Sequence, residues 1–359
     1  MPRRGRRGRR RGGRWLVALL ILLSLSLGLG LAWGLSGERD PRAARWSADR
    51  HLPSSMPLDT WRGPDGAAKP FAAYVADTRQ ALDAARRGME PDDTRRAAQV
   101  AMVAPRDWPL DPACGGVARG GVLLVHGLSD SPYLLADLGD ALATAPGRCL
   151  KLRSILLPGH GAVPGDLVRP TAADWRAAVR YGVESFAGEA ERVHLVGFST
   201  GAALALDLAL NGAPTRPAVG SLVLLSPSIG LANRLPLHRI PGGFEAFRAV
   251  TRLLAGFGPE GDWLRLDEDL DPVKAESFPV MAPRPLMQVM GDVEAAARPL
   301  GHPALMVFAV EDVTVDAQAS LDFFFARATD PASRALVYLT PATMAARPAL
   351  VARLAGGGA

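Results

Sequence analysis

From about residue 97 onward the chain alternates short, mainly apolar β-type runs with longer stretches of helical spacing. The short runs fall at residues 121–126, 150–157, 192–197, 219–226, 304–310 and 334–339, and the helical stretches at 133–145, 172–187, 200–211 and 316–328. The alternation itself predicts an α/β fold with a mostly parallel sheet. Between residues 228 and 300 it stops, and a segment rich in Pro and Gly intervenes, with an amphipathic helix expected over 244–257. An insertion at that point predicts a cap over the sheet edge. Upstream, a helix is expected over 69–88, whereas residues 36–68 carry no sustained periodicity and read as a linker or an irregular extension. The chain shows no internal repeat.

The other strong pattern lies at the N-terminus. Residues 15–35 (WLVALLILLSLSLGLGLAWGL) contain no charge, and a helix rising about 1.5 Å per residue would just cross a hydrocarbon core of roughly 30 Å. Arginines crowd the positions before this run and are absent after it until Arg39, so a transmembrane helix would keep its N-terminus in the cytoplasm and place the body on the outer, periplasmic or extracellular side. A cleaved signal peptide is the rival reading, with an apolar core usually of about 7–15 residues. The division is then a basic tail (1–14), a single membrane span (15–35), an extension (36–96) and a main domain (97–359), with the cap at about 228–300. The chain has 359 residues and 48% hydrophobic content, enough for a sizeable core. Its net charge of +5 comes from Lys+Arg 41 against Asp+Glu 36, with eight of the arginines in the tail. The body is slightly acidic, so binding of nucleic acid through its phosphates is not expected.

The chemistry concentrates at Gly197-Phe198-Ser199-Thr200-Gly201, a G-x-S-x-G between an apolar strand and an Ala/Leu-rich helix. A serine on so sharp a strand-to-helix turn is forced into strained backbone angles. Gly197 and Gly201 give the strand and helix room to approach, and the turn lifts the Ser199 hydroxyl over the N-terminus of the following helix. A second motif, Val125-His126-Gly127-Leu128, ends the strand at 121–126. Together these resemble the α/β-hydrolase superfamily, in which the loop after this strand and the residue after the nucleophile supply the oxyanion donors. The resemblance implies the backbone N–H groups of Leu128 and Thr200 in that role, with His126 shaping the loop rather than acting as a base. Leu157-Pro158-Gly159-His160-Gly161, with Asp166-Leu167, resembles the turn of monoacylglycerol-lipase-like and serine-aminopeptidase-like hydrolases. His160 reads there as a structural residue. The likeness covers roughly residues 97–340.

In this fold the acid and then the histidine follow the serine along the chain. Asp312, just past the run at 304–310, resembles the family's acid. Glu311 is its rival, and Asp316 suits the N-cap of the next helix. The six histidines are His51, His126, His160, His194, His238 and His302, so none follows the acid. A serine hydroxyl without a neighbouring base is a poor nucleophile. His194 begins the elbow strand and His302 precedes the run at 304–310, so both are expected at the opposite edge of the sheet, leaving His238 in the cap as an unconventional base. The other two readings are a chain that ends short of its histidine, the reading preferred here, and a non-catalytic relative that keeps the pocket as a ligand-binding module.

Two cysteines remain, Cys114 and Cys149, each preceding an apolar run. If those runs are parallel neighbours, the pair meets at one edge as a disulfide suited to an exported compartment, the alternative being two free thiols. No zinc-type spacing, P-loop lysine or dinucleotide fingerprint is present, so no cofactor is expected. The expectation is therefore a membrane-anchored serine hydrolase acting on a small-molecule acyl ester. Phe244, Phe247, Leu253, Leu254, Phe257 and Trp263 of the cap form an apolar inventory suited to an acyl chain.

Overall fold

The computed structural model describes residues 46–355, apart from 117, 146, 233–241, 256 and 268. The basic tail and the apolar segment 15–35 lie outside the described residues, as does His238. Among the described residues no helix is long and apolar enough to cross a membrane.

In chain order the elements are α1 (Ala48–His51), α2 (Phe71–Arg86), α3 (Asp93–Val103), β1 (Arg106–Trp108), β2 (Gly120–Val125), α4 (Ala136–Ala143), β3 (Leu150–Ile155), α5 (Ala172–Glu184), β4 (Arg192–Phe198), α6 (Thr200–Asn211) and β5 (Ala218–Leu225). There follow α7 (Gly243–Leu254), the short pair β6 (Trp263–Arg265) and β7 (Phe278–Pro279), α8 (Arg284–Ala295), β8 (Ala304–Ala309), α9 (Ala317–Arg327), β9 (Arg334–Tyr338), α10 (Pro341–Ala346) and α11 (Pro348–Ala355). Seven strands form one sheet in the order β1-β3-β2-β4-β5-β8-β9. Every neighbouring pair is parallel except β1 with β3. All six expected strands are present, each displaced by no more than two residues at either end.

The reason the run of the central strand β2 is apolar throughout is visible in its packing. Leu123 and Val125 point into a core shared with α5, α6 and α8, while Val122 and Leu124 point to the other face, where Leu135, Leu152 and Val196 close over them. Both faces are buried. The disulfide Cys114–Cys149 is formed, with Cα atoms 5.5 Å apart, because β2 and β3 are parallel neighbours and Gly120 pairs with Leu150.

Two segments differ from the sequence expectation. Residues 46–68 are an irregular extension packed on the body rather than a loose linker, with Met56 and Trp61 buried; the helix expected over 69–88 is present as α2, whose stripe Phe71, Tyr74, Thr78 and Leu82 is buried, and the Tyr74 hydroxyl accepts from the Leu156 N–H at 3.0 Å. Within the inserted segment, α8 sends Leu286, Val289, Met290 and Val293 into the main core, so that helix belongs with the sheet. Pro285, in its first turn, is compatible with a helix start, where no intrahelical partner is needed for the missing N–H.

The site is positioned by strand order. After β3 the chain crosses back over β2 to lay down β4 on its other side, so the ends of β2 and β4 flank a topological switch point, the place where open α/β sheets bind ligands.

Candidate active site

Val125 pairs with Gly197 in register, so the loop after β2 and the turn after β4 emerge side by side. Ser199 occupies the turn at φ 50° and ψ −108°, a region that residues with a Cβ rarely adopt. The surroundings enforce it. A Cβ on Gly201 would lie 2.0 Å from the Val125 carbonyl oxygen, and one on Gly197 would lie 2.4 Å from the Ala202 nitrogen. With those two positions bare, α6 closes onto β2 and β4, and the Ser199 N–H is held by the Leu225 carbonyl at 2.8 Å. The Ser199 side chain is half-buried at the sheet edge rather than packed inside. Thr200 is the first residue of α6, where helix geometry leaves the N–H without an intrahelical acceptor.

The loop after β2 is built from buried polar groups. His126 Nδ1 donates to the Gly127 carbonyl at 2.8 Å, and its Nε2 accepts from the Leu157 N–H at 3.0 Å. Both ring nitrogens are thereby used by a neutral imidazole, and burial, with His160 alongside, holds its pKa well below the usual value. His160 meets His126 edge to face with centroids 4.9 Å apart. Its Nδ1 is shared by the Leu157 and Pro158 carbonyls, and burial lowers its pKa to about 4. Both histidines shape loops. Ser129 follows Leu128 at φ 64°, and its carbonyl accepts from the Ala275 N–H at 2.8 Å. Lys274 Nζ stands 3.7 Å from the buried Asp130 carboxylate, whose pKa desolvation raises. A strap from the inserted segment is thus fastened to the loop that carries Leu128, above a cavity of about 220 Å³ lined by Ser129, Asp130, His160 and Lys274.

Asp312 follows β8 on the same edge, two strands from β4. Its Oδ1 accepts from the N–H groups of Thr314 at 2.8 Å and Val315 at 2.9 Å, closing its own turn. The segment after β5 spans the gap to Ser199. Ser228 N–H donates to the Ser199 carbonyl at 3.3 Å, Ala232 N–H to the Thr314 carbonyl at 3.1 Å, and Asp316 N–H to the Gly230 carbonyl at 3.0 Å. Among the described residues no hydrogen bond joins Asp312 to Ser199. Glu311 points elsewhere: hydrogen bonds from Thr343 and Thr340 hold its carboxyl down at about 2, and it clips the chain after β9 through the Thr340 N–H. Asp316 caps α9, accepting from Gln318 and Ala319.

The hydroxyl partner of Ser199 is a residue the sequence reading passed over. Ser228 Oγ lies 2.9 Å from Ser199 Oγ, and the only sequence signal for it was a Ser-Pro-Ser at the end of the strand next to the elbow strand. No described histidine is hydrogen-bonded to Ser199. His194 pairs with Ser221 Oγ at 2.7 Å and His302 with the Gly220 carbonyl at 3.3 Å, both toward the N-terminal edge of the sheet. His51 bonds Ser47 and Ser277 beneath the cap. Among the described residues no group of three His, Cys, Asp or Glu could hold a metal ion.

This fold and elbow define an α/β-hydrolase, and the comparisons agree: the sequence pattern of the alpha/beta hydrolase family matches residues 122–358. The chain belongs to that family. It is similar to the thermostable monoacylglycerol lipase of Bacillus sp. (strain H-257), at 26% identity over 195 residues covering 54% of this chain and 71% of that one. A structure solved for LipS and LipT, two metagenome-derived lipolytic enzymes, overlays with a TM-score of 0.50 at 18% identity, covering 70% of this chain and 96% of that one. The monoacylglycerol lipase of Paleococcus ferrophilus overlays at 0.47 and 17% identity, covering 70% and 98%.

Proposed function

We propose that the chain is a membrane-anchored serine hydrolase that cleaves carboxylic esters, lipid-like or short-acyl, through an acyl-enzyme on Ser199. The observation that carries this reading is the strained backbone of Ser199, held at a positive φ by two glycines that no larger residue can replace without displacing backbone. Such strain persists only where its surroundings impose it, and it clusters at reacting groups. Ser199 Oγ attacks the ester carbonyl, and the N–H groups of Leu128 and Thr200 receive the developing oxyanion. The alcohol leaves, and water then releases the acid from the acyl-enzyme. Asp312 is the acid that orients the general base. The base itself is assigned to no residue, because the five described histidines are engaged elsewhere. Similarity to the Bacillus monoacylglycerol lipase supports a lipid-like acyl ester as substrate. The uncharged run 15–35 behind its arginines supports anchoring with the body on the outer side.

A fluorophosphonate probe tests the reading. The folded chain is expected to label at one serine, and the Ser199→Ala variant to remain blank. A folded chain that takes no label would make this a ligand-binding module built on a hydrolase fold.

A further inference from the structure

The cap helix α7 is turned inside out. A helix packed on a protein core normally buries its apolar stripe and offers its charges to water. Here the inward side is polar: Arg248 Nε bonds Asp262 at 2.7 Å, Thr251 Oγ1 donates to the Gly261 carbonyl at 2.7 Å, and Arg252 lies 3.5 Å from the same Asp262 carboxylate. The outward side is apolar. Val250, Leu253 and Leu254 are 46%, 54% and 48% exposed, Phe257 just beyond them is 71% exposed, and Ala246 and Ala249 continue the stripe one turn back. Leu264, on the neighbouring short strand, adds another open side chain. Leu253, Leu254 and Phe257, read from the sequence as lining for an acyl chain, instead stand with Val250 in an apolar surface facing away from the protein, the kind that marks a contact site.

The route of the chain indicates what covers it. Trp46, the first described residue, lines one cavity with Arg248, Asp262, Trp263 and Arg284, so the N-terminal segment joins the folded body alongside the cap. Ten residues lie between Leu35, the end of the uncharged run, and Trp46, so the two are at most about 40 Å apart. A bilayer crossed by residues 15–35 therefore lies within reach of the cap. The cations around the stripe are matched by acids, Arg248 and Arg252 by Asp262, Arg265 by Asp267 and Arg284 by Glu245, which leaves an apolar rather than a charge-driven contact.

We propose that the stripe Val250, Leu253, Leu254 and Phe257 lies in the surface of a phospholipid bilayer, α7 resting in the plane of the membrane as a second attachment beside the N-terminal segment. This rests on the anchor reading of residues 15–35 and not on catalysis at Ser199. Both native cysteines are paired, so a cysteine placed at Leu253 is a single free thiol. The full chain carrying Leu253→Cys, labelled with an environment-sensitive fluorophore, is reconstituted into phosphatidylcholine vesicles containing lipid brominated along its acyl chains. Glu191→Cys, exposed just before β4, is the control. The label at 253 is expected to lose most of its emission to the bromines while the label at 191 keeps it, with little change when a third of the lipid is phosphatidylglycerol. A chain that stays with the vesicles through a carbonate wash but shows no quenching at 253 overturns the proposal and leaves the anchor standing. A label at 253 that is blue-shifted yet unquenched overturns it in favour of protein cover, a second copy of this chain. A chain washed off the vesicles overturns the anchor reading and this proposal together.

Discussion

The ends of β4 and β8 carry Ser199 and Asp312, the two residues on which the proposed chemistry depends, and they are built in different ways. At the end of β4 the geometry is enforced by backbone against backbone: α6 touches β2 through Gly201, the turn closes over Gly197, and buried neutral histidines wall the adjoining loop. At the end of β8 the geometry is a surface turn in which Asp312 caps its own following N–H groups and Val313 is 84% exposed. A nucleophile positioned by a packed core is specified locally. A charge that must act through another group depends on segments far apart in the chain, and its turn alone does not reveal whether it does so.

The largest effect expected from this contrast is at Gly201. Adding a single methyl there puts a carbon 2.0 Å from a main-chain oxygen, so Gly201→Ala must prise α6 from β2, at a cost on the order of 3 kcal/mol. Val313→Ala at the other end should change stability by less than about 0.5 kcal/mol. Urea unfolding of both variants checks the difference, and equal midpoints would remove the distinction between the two ends.

Acid should separate the same two regions. His160 titrates at about 4 in the fold, against about 6.5 in an unfolded chain, so between those values the unfolded state binds more protons. Stability is therefore complete above about pH 6.5 and declines as pH falls toward 4, by on the order of 2 kcal/mol at pH 5 from His160 alone, with His126 acting in the same direction. At the other end Glu311, with its pKa at about 2, stays ionised over this range. Urea midpoints at pH 7 and pH 5 should differ in the parent chain and differ less in His160→Gln. A slope unchanged by that substitution would place the acid sensitivity elsewhere.

How much of this was legible beforehand follows from the same physics. The strands and the elbow announced themselves because short, mainly apolar runs alternate with helical stretches, β2 being buried on both faces and apolar throughout, and because a G-x-S-x-G between strand and helix satisfies a local steric demand. Helix α3 did not, since only Arg96, Val100 and Val103 of its residues are buried, too sparse a stripe to stand out. Strand β1 is three residues long and joins the sheet only through β3. Helix α8 was hidden by the prolines at its start, though its Leu286, Val289, Met290 and Val293 have helical spacing. Ser228 had no local signal beyond the Ser-Pro-Ser that ends the β5 run. Its hydroxyl meets Ser199 because β5 pairs with β4 and turns back at its end, a consequence of register rather than of any motif.

Replacing Asp312 distinguishes a charge from a cap. The carbonyl oxygen of an asparagine accepts the Thr314 and Val315 N–H groups as the carboxylate does, so Asp312→Asn keeps the turn and removes only the charge. If Asp312 orients the base, fluorophosphonate labelling of Ser199 should slow by about tenfold or more with the melting temperature unchanged. An undiminished rate would reduce Asp312 to the residue that closes its own turn.

The smallest effect is expected at Ser228, and it sharpens the comparison most. Its hydroxyl stands 2.9 Å from that of Ser199 while its N–H holds the Ser199 carbonyl, so Ser228→Ala removes one hydrogen bond and leaves the backbone tie. A hydrogen bond of this kind contributes about 1 kcal/mol net. That is enough to hold Ser199 Oγ in one rotamer, and its loss should slow labelling by about threefold to fivefold. The ratio between the two variants is the informative quantity. A larger loss at Asp312 means that the nucleophile is activated from the distant turn, and the elbow supplies only its position. A larger loss at Ser228 would mean that the hydroxyl pair at the end of β4 governs the reactivity of Ser199, and that the β8 end contributes no more than a well-capped loop.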